Sequence, residues 1–165
     1  MKKILLDADA SIKLTKISII ETITSSFQVI LTNEVYKEQV TAGLKRNLND
    51  AKRMEKMVSD GKVTVVEVDG NSSKYDDFRL GSGEKSVISY FLANDVDLIV
   101  SDDEAFLKIL DSYEIPFTPV AGIILISVIN GLITGEKGIN YLELLKPMIK
   151  DEHMFYIRSK IEGLK

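Results

Sequence analysis

Short aliphatic runs alternate along the chain with longer segments whose apolar residues recur at helical spacing. Runs of this length and composition are typical of buried strands, and the spacing between them is typical of amphipathic helices. The predicted strands cover residues 3–6, 28–31, 63–68, 97–100 and 117–120. The predicted helices cover residues 11–21, 34–40, 47–59, 84–93, 101–113 and 121–129, with two more helical pieces parted near residues 150–153.

Several residues predict where these helices and strands begin or end. Gly43 predicts a break after the second helix. Ser101 is followed three residues later by Glu104, which is a capping-box pattern and predicts that a helix begins directly after the fourth strand. Residues 69–80 contain Gly, Asn and two Ser in a row and are predicted to be the loosest part of the chain.

The alternation of strands and helices predicts the fold class. Strands that are apolar on both faces and separated by helices favour a parallel sheet between two helical layers, which is a three-layer α/β/α sandwich. A chain of 165 residues has the size of one domain, so we expect a single domain over 1–165, with 133–165 as a C-terminal helical extension. Ligands of such sheets gather at the carboxyl ends of the strands.

Acidic residues are concentrated at that predicted edge of the sheet. Asp7 and Asp9 follow the first strand, Asp102 and Asp103 follow the fourth, and Glu38 and Glu84 lie near the starts of two helices. Carboxylates held close together raise one another's pKa values unless a cation neutralises them. A divalent ion is the simplest such cation, although each acid taken singly could also be a turn or helix-start residue.

The amino-acid composition limits which divalent ion the predicted site could bind. The chain has no Cys, which excludes disulfides, zinc–thiolate sites and cysteine nucleophiles, and it has one His, His153, which excludes sites built on several imidazoles. Carboxylate oxygens remain as the abundant ligands, and these suit Mg²⁺ or Mn²⁺.

Neither the start of the sequence nor its most apolar segment predicts a membrane protein. The first residues have a basic pair but no long apolar stretch, and residues 117–129 are interrupted by Pro119 and Gly122. We therefore expect a cytoplasmic protein. The segment 121–129 is apolar nearly all round, so it is either buried under the last helices or part of a homodimer interface.

The ordered set of motifs resembles a known family. Leu6-Asp7-Ala8-Asp9-Ala10-Ser11, Val35-Tyr36-Lys37-Glu38, Gly83-Glu84 and Val100-Ser101-Asp102-Asp103 together are similar to a PIN domain, the nuclease fold of VapC-type toxins. The resemblance covers Lys3 to about Leu132. The remaining tail is similar to that of an uncharacterised PIN subgroup that is longer than the compact toxins.

This resemblance implies metal-dependent hydrolysis of RNA phosphodiester bonds. Carried over residue by residue, the expected catalytic acids are Asp7, Glu38, Glu84 and Asp103. The expected ligands of Mg²⁺ or Mn²⁺ are Asp7, Glu84, Asp102 and Asp103, with Asp9 and Ser11 as accessory residues. Glu84 stands where many family members have Asp. A family of toxins also suggests a small antitoxin protein as a partner.

Basic residues are the candidates for RNA backbone contacts. Lys13, Lys45 and Arg46 are the main ones, with Lys16, Lys52 and Arg53 as further candidates. The net charge is −4, and no basic stripe interleaved with aromatic residues predicts sequence readout. RNA as the substrate therefore depends on the family resemblance.

Two other functions compete with a ribonuclease. Asp7-Ala-Asp9 after a strand also resembles the motif of haloacid-dehalogenase-like phosphatases, in which Asp7 would be the nucleophile and Asp102 and Asp103 the metal pair. That reading leaves Glu38 and Glu84 without roles. The second alternative is a non-catalytic PIN-like scaffold that binds a partner.

Overall fold

A computed structural model describes residues 1–68 and 80–164 of the chain. The strands in these residues form one parallel sheet in the order β3-β2-β1-β4-β5. They are β1 Lys2–Leu6, β2 Phe27–Thr32, β3 Val63–Val66, β4 Leu98–Val100 and β5 Phe117–Thr118. All but one residue of the loose segment predicted at 69–80 lie outside the described residues.

Helices flank this sheet. They are α1 Ala8–Lys16, α2 Ile20–Ile23, α3 Asn33–Tyr36, α4 Ala42–Lys45, α5 Asn49–Ser59, α6 Ser82–Ala93, α7 Glu104–Ser112, α8 Val120–Ile129, α9 Gly135–Leu145 and α10 Asp151–Glu162. A π-helical turn at Lys37–Thr41 joins α3 to α4, and a 3₁₀ turn at Lys146–Met148 follows α9. The predicted α/β/α sandwich with a parallel central sheet is confirmed.

Strand order explains how the sheet is covered and where a ligand would sit. The chain runs outward from β1 through β2 to β3, and then returns to the other side of β1 for β4 and β5. Because such crossovers are right-handed, the helices after β1 and β2 and those after β3 and β4 cover opposite faces. The direction in which the chain adds strands to the sheet therefore reverses between β1 and β4, although the two strands are parallel. The carboxyl ends of β1 and β4 border the crevice where ligands of this fold class bind.

The predicted single helix over residues 11–21 is wrong, since the structure divides it into α1 and α2. Ser18 lies between them with a φ of 63°, in the left-handed region that ends a helix. The turn places both Ile17 and Ile19 in the core, which an uninterrupted helix would not do because residues two apart lie on different sides.

Two other boundary predictions are also wrong. Gly43 lies inside α4, where a Cβ would come 2.6 Å from the Cβ of Ala51, so the glycine allows close packing on α5 and ends no helix. The N-cap of α7 is Asp103, whose side chain accepts the Phe106 N–H, and Ser101 lies before it.

The apolar helix α8 is mostly buried inside the protein. Val120, Ile123 and Ile124 have no exposed surface, and both α9 and α10 pack against α8. The structure therefore supports burial under the last helices for most of this segment, and a homodimer stays a prediction. In the part of the chain that the structure describes, no helix is long and apolar enough to cross a membrane.

Candidate functional site

Asp7 and Asp103 leave the sheet side by side. Leu6 and Val100 are paired in the register of β1 and β4, and the Asp7 N–H donates to the Val100 carbonyl at 3.2 Å. Asp7 is the N-cap of α1 and Asp103 is the N-cap of α7. Strand pairing and helix capping together fix both carboxylates at the carboxyl edge of the sheet.

Glu38 and Glu84 converge on the first turn of α6. The Glu38 Oε1 accepts the Gly83 N–H and the Ser82 hydroxyl, both at 3.1 Å. The Glu84 Oε2 accepts the Gly81 N–H at 2.8 Å. Glu38 lies in the π-helical turn, a feature that often marks functional sites in helices.

Gly83 is required for this approach of Glu38. A Cβ at residue 83 would lie 2.7 Å from the Glu38 Oε2, which is closer than non-bonded atoms allow. The absence of a side chain therefore lets the carboxylate rest directly on the backbone at the start of α6.

These acids line one cavity of about 200 Å³, which we call the acidic cavity. Its walls are formed by Asp7, Ala8, Asp9, Glu38, Gly81, Gly83, Glu84 and Asp103. The structure thus brings together all four predicted catalytic acids and the accessory Asp9. Sequence reasoning did not assign the two glycines to the site, although the Gly-Ser-Gly run before Glu84 was the signal that could have placed them there.

One oxygen of each of the four predicted catalytic acids is held by a backbone N–H at the start of a helix. The pairs are Asp7 with Ala10, Glu38 with Gly83, Glu84 with Gly81, and Asp103 with Phe106. Helix N-termini carry partial positive charge, so this arrangement stabilises four carboxylates in one place. Within residues 1–68 and 80–164, the second oxygen of Glu38, Glu84 and Asp103 accepts no hydrogen bond.

The electrostatics of the acidic cavity favour a cation. Burial raises the pKa of Asp7 to about 6, although hydrogen bonds from Ser101 and Ala10 oppose the rise, and the residue is only 5% exposed. Burial also raises the pKa of Glu84, and the charges of Asp103 and Glu38 add to that rise. Across the described ranges, no Lys or Arg forms an ion pair with any of the four acids.

The chemistry of these side chains fits Mg²⁺ or Mn²⁺. Every donor is a carboxylate oxygen, and Mg²⁺ typically keeps several waters and takes only one or two protein carboxylates. As the side chains lie, no three acidic or histidine residues of the described chain are close enough together to hold an ion. The donor set therefore suits a hard divalent cation, while its ligand geometry stays a prediction.

Asp102 lies outside this arrangement. Its Oδ2 accepts a hydrogen bond from the Lys13 Nζ at 2.9 Å, and its Oδ1 accepts the Val120 N–H at 2.9 Å. Both oxygens are thus engaged, and Asp102 lines a different cavity. The structure does not bring Asp102 together with the other predicted metal ligands.

Lys13 is a buried ion-pair residue in this structure. It is 9% exposed, and its Nζ lies 2.6 Å from Asp9 and 2.9 Å from Asp102. Burial alone would lower the pKa of Lys13, but hydrogen bonds to Asp9 and Asp102 outweigh burial and raise it. An ammonium held by two carboxylates is poorly placed to contact RNA phosphate, so that predicted role gains no support from its placement.

The other predicted residues lie away from the acidic cavity. Ser11 is buried and donates to the Gln39 Oε1 at 2.5 Å, which ties α1 to the π-helical turn beside Glu38. Lys45 and Arg46 are exposed at the end of α4 and line no part of the acidic cavity. Their roles in RNA binding stay predictions.

Comparison with known proteins identifies the family. The sequence profile of the PIN domain matches residues 3–162, which is nearly the whole chain. No curated protein matches it. PIN domains are generally nucleases and typically use a divalent metal. With its parallel sheet, its acids at the carboxyl ends of the strands and this match over almost its full length, the chain belongs to the PIN-domain family.

Proposed function

We propose that this protein is a Mg²⁺- or Mn²⁺-dependent ribonuclease whose ion is bound in the acidic cavity. The observation that carries the proposal is the convergence of Asp7, Glu38, Glu84 and Asp103, from four separate chain segments, on one cavity with no basic partner among the described residues. Membership of a family of nucleases supports it. A structural role alone would not favour four acids in one cavity, because their mutual repulsion lowers stability.

The chain's residues would position the reaction as follows. Asp7 and Asp103 project from adjacent strands and would hold the ion from the sheet side, while Glu38 and Glu84 would do so from the start of α6. When bound, the ion supplies charge neutralisation for the scissile phosphate and lowers the pKa of a water. The helix starts hold one oxygen of each carboxylate before substrate arrives, which limits the movement that each side chain must make when the ion binds.

Asp9 and the exposed basic residues would have supporting roles. Asp9 lies at the cavity wall with its side chain 54% exposed and is held by Lys13. Lys45 and Arg46 would contact RNA backbone phosphates, and such contacts add affinity without reading the base sequence. A toxin role with a small antitoxin partner, a homodimer and a cytoplasmic location remain predictions from the sequence.

The phosphatase alternative finds less support in this arrangement. It assigns no role to Glu38 and Glu84, yet both line the same cavity as Asp7. It also requires Asp102 to hold a metal, whereas both oxygens of Asp102 already bind Lys13 and Val120.

The test is cleavage of a panel of single-stranded RNAs by the wild type and by Asp7→Asn, with Mg²⁺, with Mn²⁺ and with a chelator. We expect cleavage by the wild type with one or both ions and none with the chelator. Asp7→Asn should be inactive and folded, because Asn can still accept the Ala10 N–H. A wild type that cuts no RNA with either ion would contradict the proposal and favour a binding scaffold.

A further inference from the structure

A second cavity of about 440 Å³ lies between the start of α7 and the segment that joins α9 to α10. We call it the neighbouring cavity. Lys13 and Asp102 form one side, and Met148, Ile149 and Lys150 form another. Its volume is in the range of about 300–1,000 Å³ that is typical of small-ligand sites.

The neighbouring cavity adjoins the acidic cavity. Asp102 lines the former and Asp103, the next residue, lines the latter. Lys13 bridges the two, because its Nζ binds Asp102 on one side and Asp9, a wall residue of the acidic cavity, on the other. A strand of RNA with a phosphate in the acidic cavity would therefore bring a flanking nucleotide to the neighbouring cavity.

The two cavities differ in charge. In the neighbouring cavity each carboxylate has a lysine partner, since Lys13 binds Asp102 and Lys150 binds Glu104. Pro147, Met148 and Ile149 add an apolar surface. Paired charges give little net attraction for a free phosphate, whereas an apolar wall with a nearby donor and acceptor suits an uncharged planar ring.

We infer that the neighbouring cavity binds a nucleobase of the single-stranded RNA, next to the phosphate held in the acidic cavity. This inference rests on the proposed function. Proteins commonly recognise unpaired RNA bases by stacking them on aromatic, histidine or arginine side chains and by hydrogen bonding to their edges, and His153 is a residue of this kind that lines the cavity. Met148 and Ile149 would pack on the base, while Lys150 would donate to its edge and Glu104 would accept from it.

The ion pair between Lys150 and Glu104 does not close this site. Both side chains are more than half exposed, and such surface pairs contribute little to stability in water. Lys150 and Glu104 can therefore leave their ion pair and bind a base instead, at a small cost in free energy. His153, half-buried at the start of α10, completes the wall.

Titration of the full chain with adenosine, cytidine, guanosine and uridine, in a chelator and followed by amide NMR, tests the inference. Free nucleosides have no phosphate, so they probe binding of the base and its ribose without any contribution from a phosphate, and a preference among the four reports on the base. We expect shifts at Glu104, Met148, Ile149, Lys150 and His153, with at least one nucleoside preferred. Lys150→Gln should weaken binding about fivefold, because a shorter, neutral amide replaces the charged donor and charge-assisted hydrogen bonds are the stronger ones.

Lys146→Gln is the matched control. Lys146 is an exposed lysine at the other end of the same short segment, but it does not line the cavity. Its substitution makes the same change in net charge and should leave nucleoside binding at the wild-type value. Equal weakening by both variants would show a general charge effect and overturn the inference.

RNA cleavage, measured separately with Mn²⁺, distinguishes this inference from the proposed function. A wild type that cleaves RNA but shows no nucleoside shifts, or shifts only around Gly81, Gly83 and Glu84, would overturn the base site and leave the nuclease proposal intact. Nucleoside binding at the neighbouring cavity by a protein that cuts no RNA would support the base site and contradict the nuclease proposal.

Discussion

Asp102 and Asp103 are consecutive residues at the end of β4, yet their carboxylates have opposite surroundings. The Asp102 side chain is 7% exposed, and both its oxygens bind partners, the Lys13 ammonium and the Val120 N–H. Asp103 lines the acidic cavity with one oxygen on the Phe106 N–H and no cation partner among the described residues. The pair lies at the boundary between two cavities, and each residue belongs to a different one.

This difference separates a charge that is paired within the fold from one that remains available to a ligand. A buried carboxylate with a lysine partner contributes to how the chain is held together, because its removal leaves the lysine unpaired. A carboxylate that faces other acids without a cation makes the opposite contribution, since its charge is unfavourable until a ligand binds. Substitution at these sites should therefore change either stability or activity, but not both in the same direction.

The largest effect in this comparison is the fall in the rate of RNA cleavage that we expect for Asp103→Asn. Asn can still accept the Phe106 N–H as an N-cap, so the fold should be retained. Loss of the charge should weaken ion binding, and metal ions contribute several kcal/mol to such reactions, so we expect the cleavage rate to fall about a thousandfold. Single-turnover cleavage with Mn²⁺ measures this. An Asp103→Asn rate equal to that of the wild type would remove Asp103 from the site.

Asp7→Asn should stabilise the protein without metal at high pH. The pKa of Asp7 is raised from 3.8 to about 6, so its favourable contribution is complete below pH 4 and is lost as the pH rises through 6. At pH 8 the ionised side chain costs about 3 kcal/mol, which Asn avoids. Urea unfolding in a chelator should show Asp7→Asn to be more stable than the wild type at pH 8 and similar at pH 4. A variant less stable than the wild type at pH 8 would contradict this.

Asp102→Asn should destabilise the protein by about 2 kcal/mol, because the buried Lys13 keeps only the partly exposed Asp9 as a partner. Cleavage at a temperature where the variant is folded should stay near the wild-type rate. Asp95→Asn is the control, since the Asp95 side chain is fully exposed in its pair with Lys3. If Asp102→Asn were as stable as the wild type but no longer cleaved RNA, the result would contradict this prediction and support Asp102 as a metal ligand.

The smallest effect should come from Gly83→Ala. The added methyl would lie 2.7 Å from the Glu38 Oε2 and should push that carboxylate aside. We expect cleavage to fall about tenfold, because small displacements of positioned groups reduce rates by this order or more. Gly81→Ala is the matched control, since among the described residues its methyl would meet only the Glu84 Oε2, at an ordinary 3.6 Å. Equal rates for the two variants would show that contact between Glu38 and Gly83 is unimportant.

The sequence predicted the sheet and the edge where the acids meet because these depend on periodic patterns. Aliphatic runs such as residues 3–6 and 97–100 identify buried parallel strands, and an acid directly after such a strand lies at its carboxyl end. The pattern alone therefore places Asp7 and Asp103 near one another.

The details that were not predicted depend on contacts between distant residues. Asp102 and Asp103 are indistinguishable by pattern, and only the position of Lys13 on α1 shows which of them is neutralised. Gly43 has the composition of a helix break, but its role follows from contact with Ala51 on the next helix. Likewise, nothing local to Gly83 reveals that the Glu38 carboxylate rests against it.

Paramagnetic broadening of amide NMR signals by Mn²⁺ tests most directly whether these four carboxylates form a cation site. With substoichiometric Mn²⁺, we predict that broadening is centred on Ala8, Asp9, Gly83, Glu84 and Glu104, and that Asp7→Asn abolishes it. Broadening spread over exposed acids such as Glu136, Glu143 and Glu162, and unchanged in Asp7→Asn, would contradict the account.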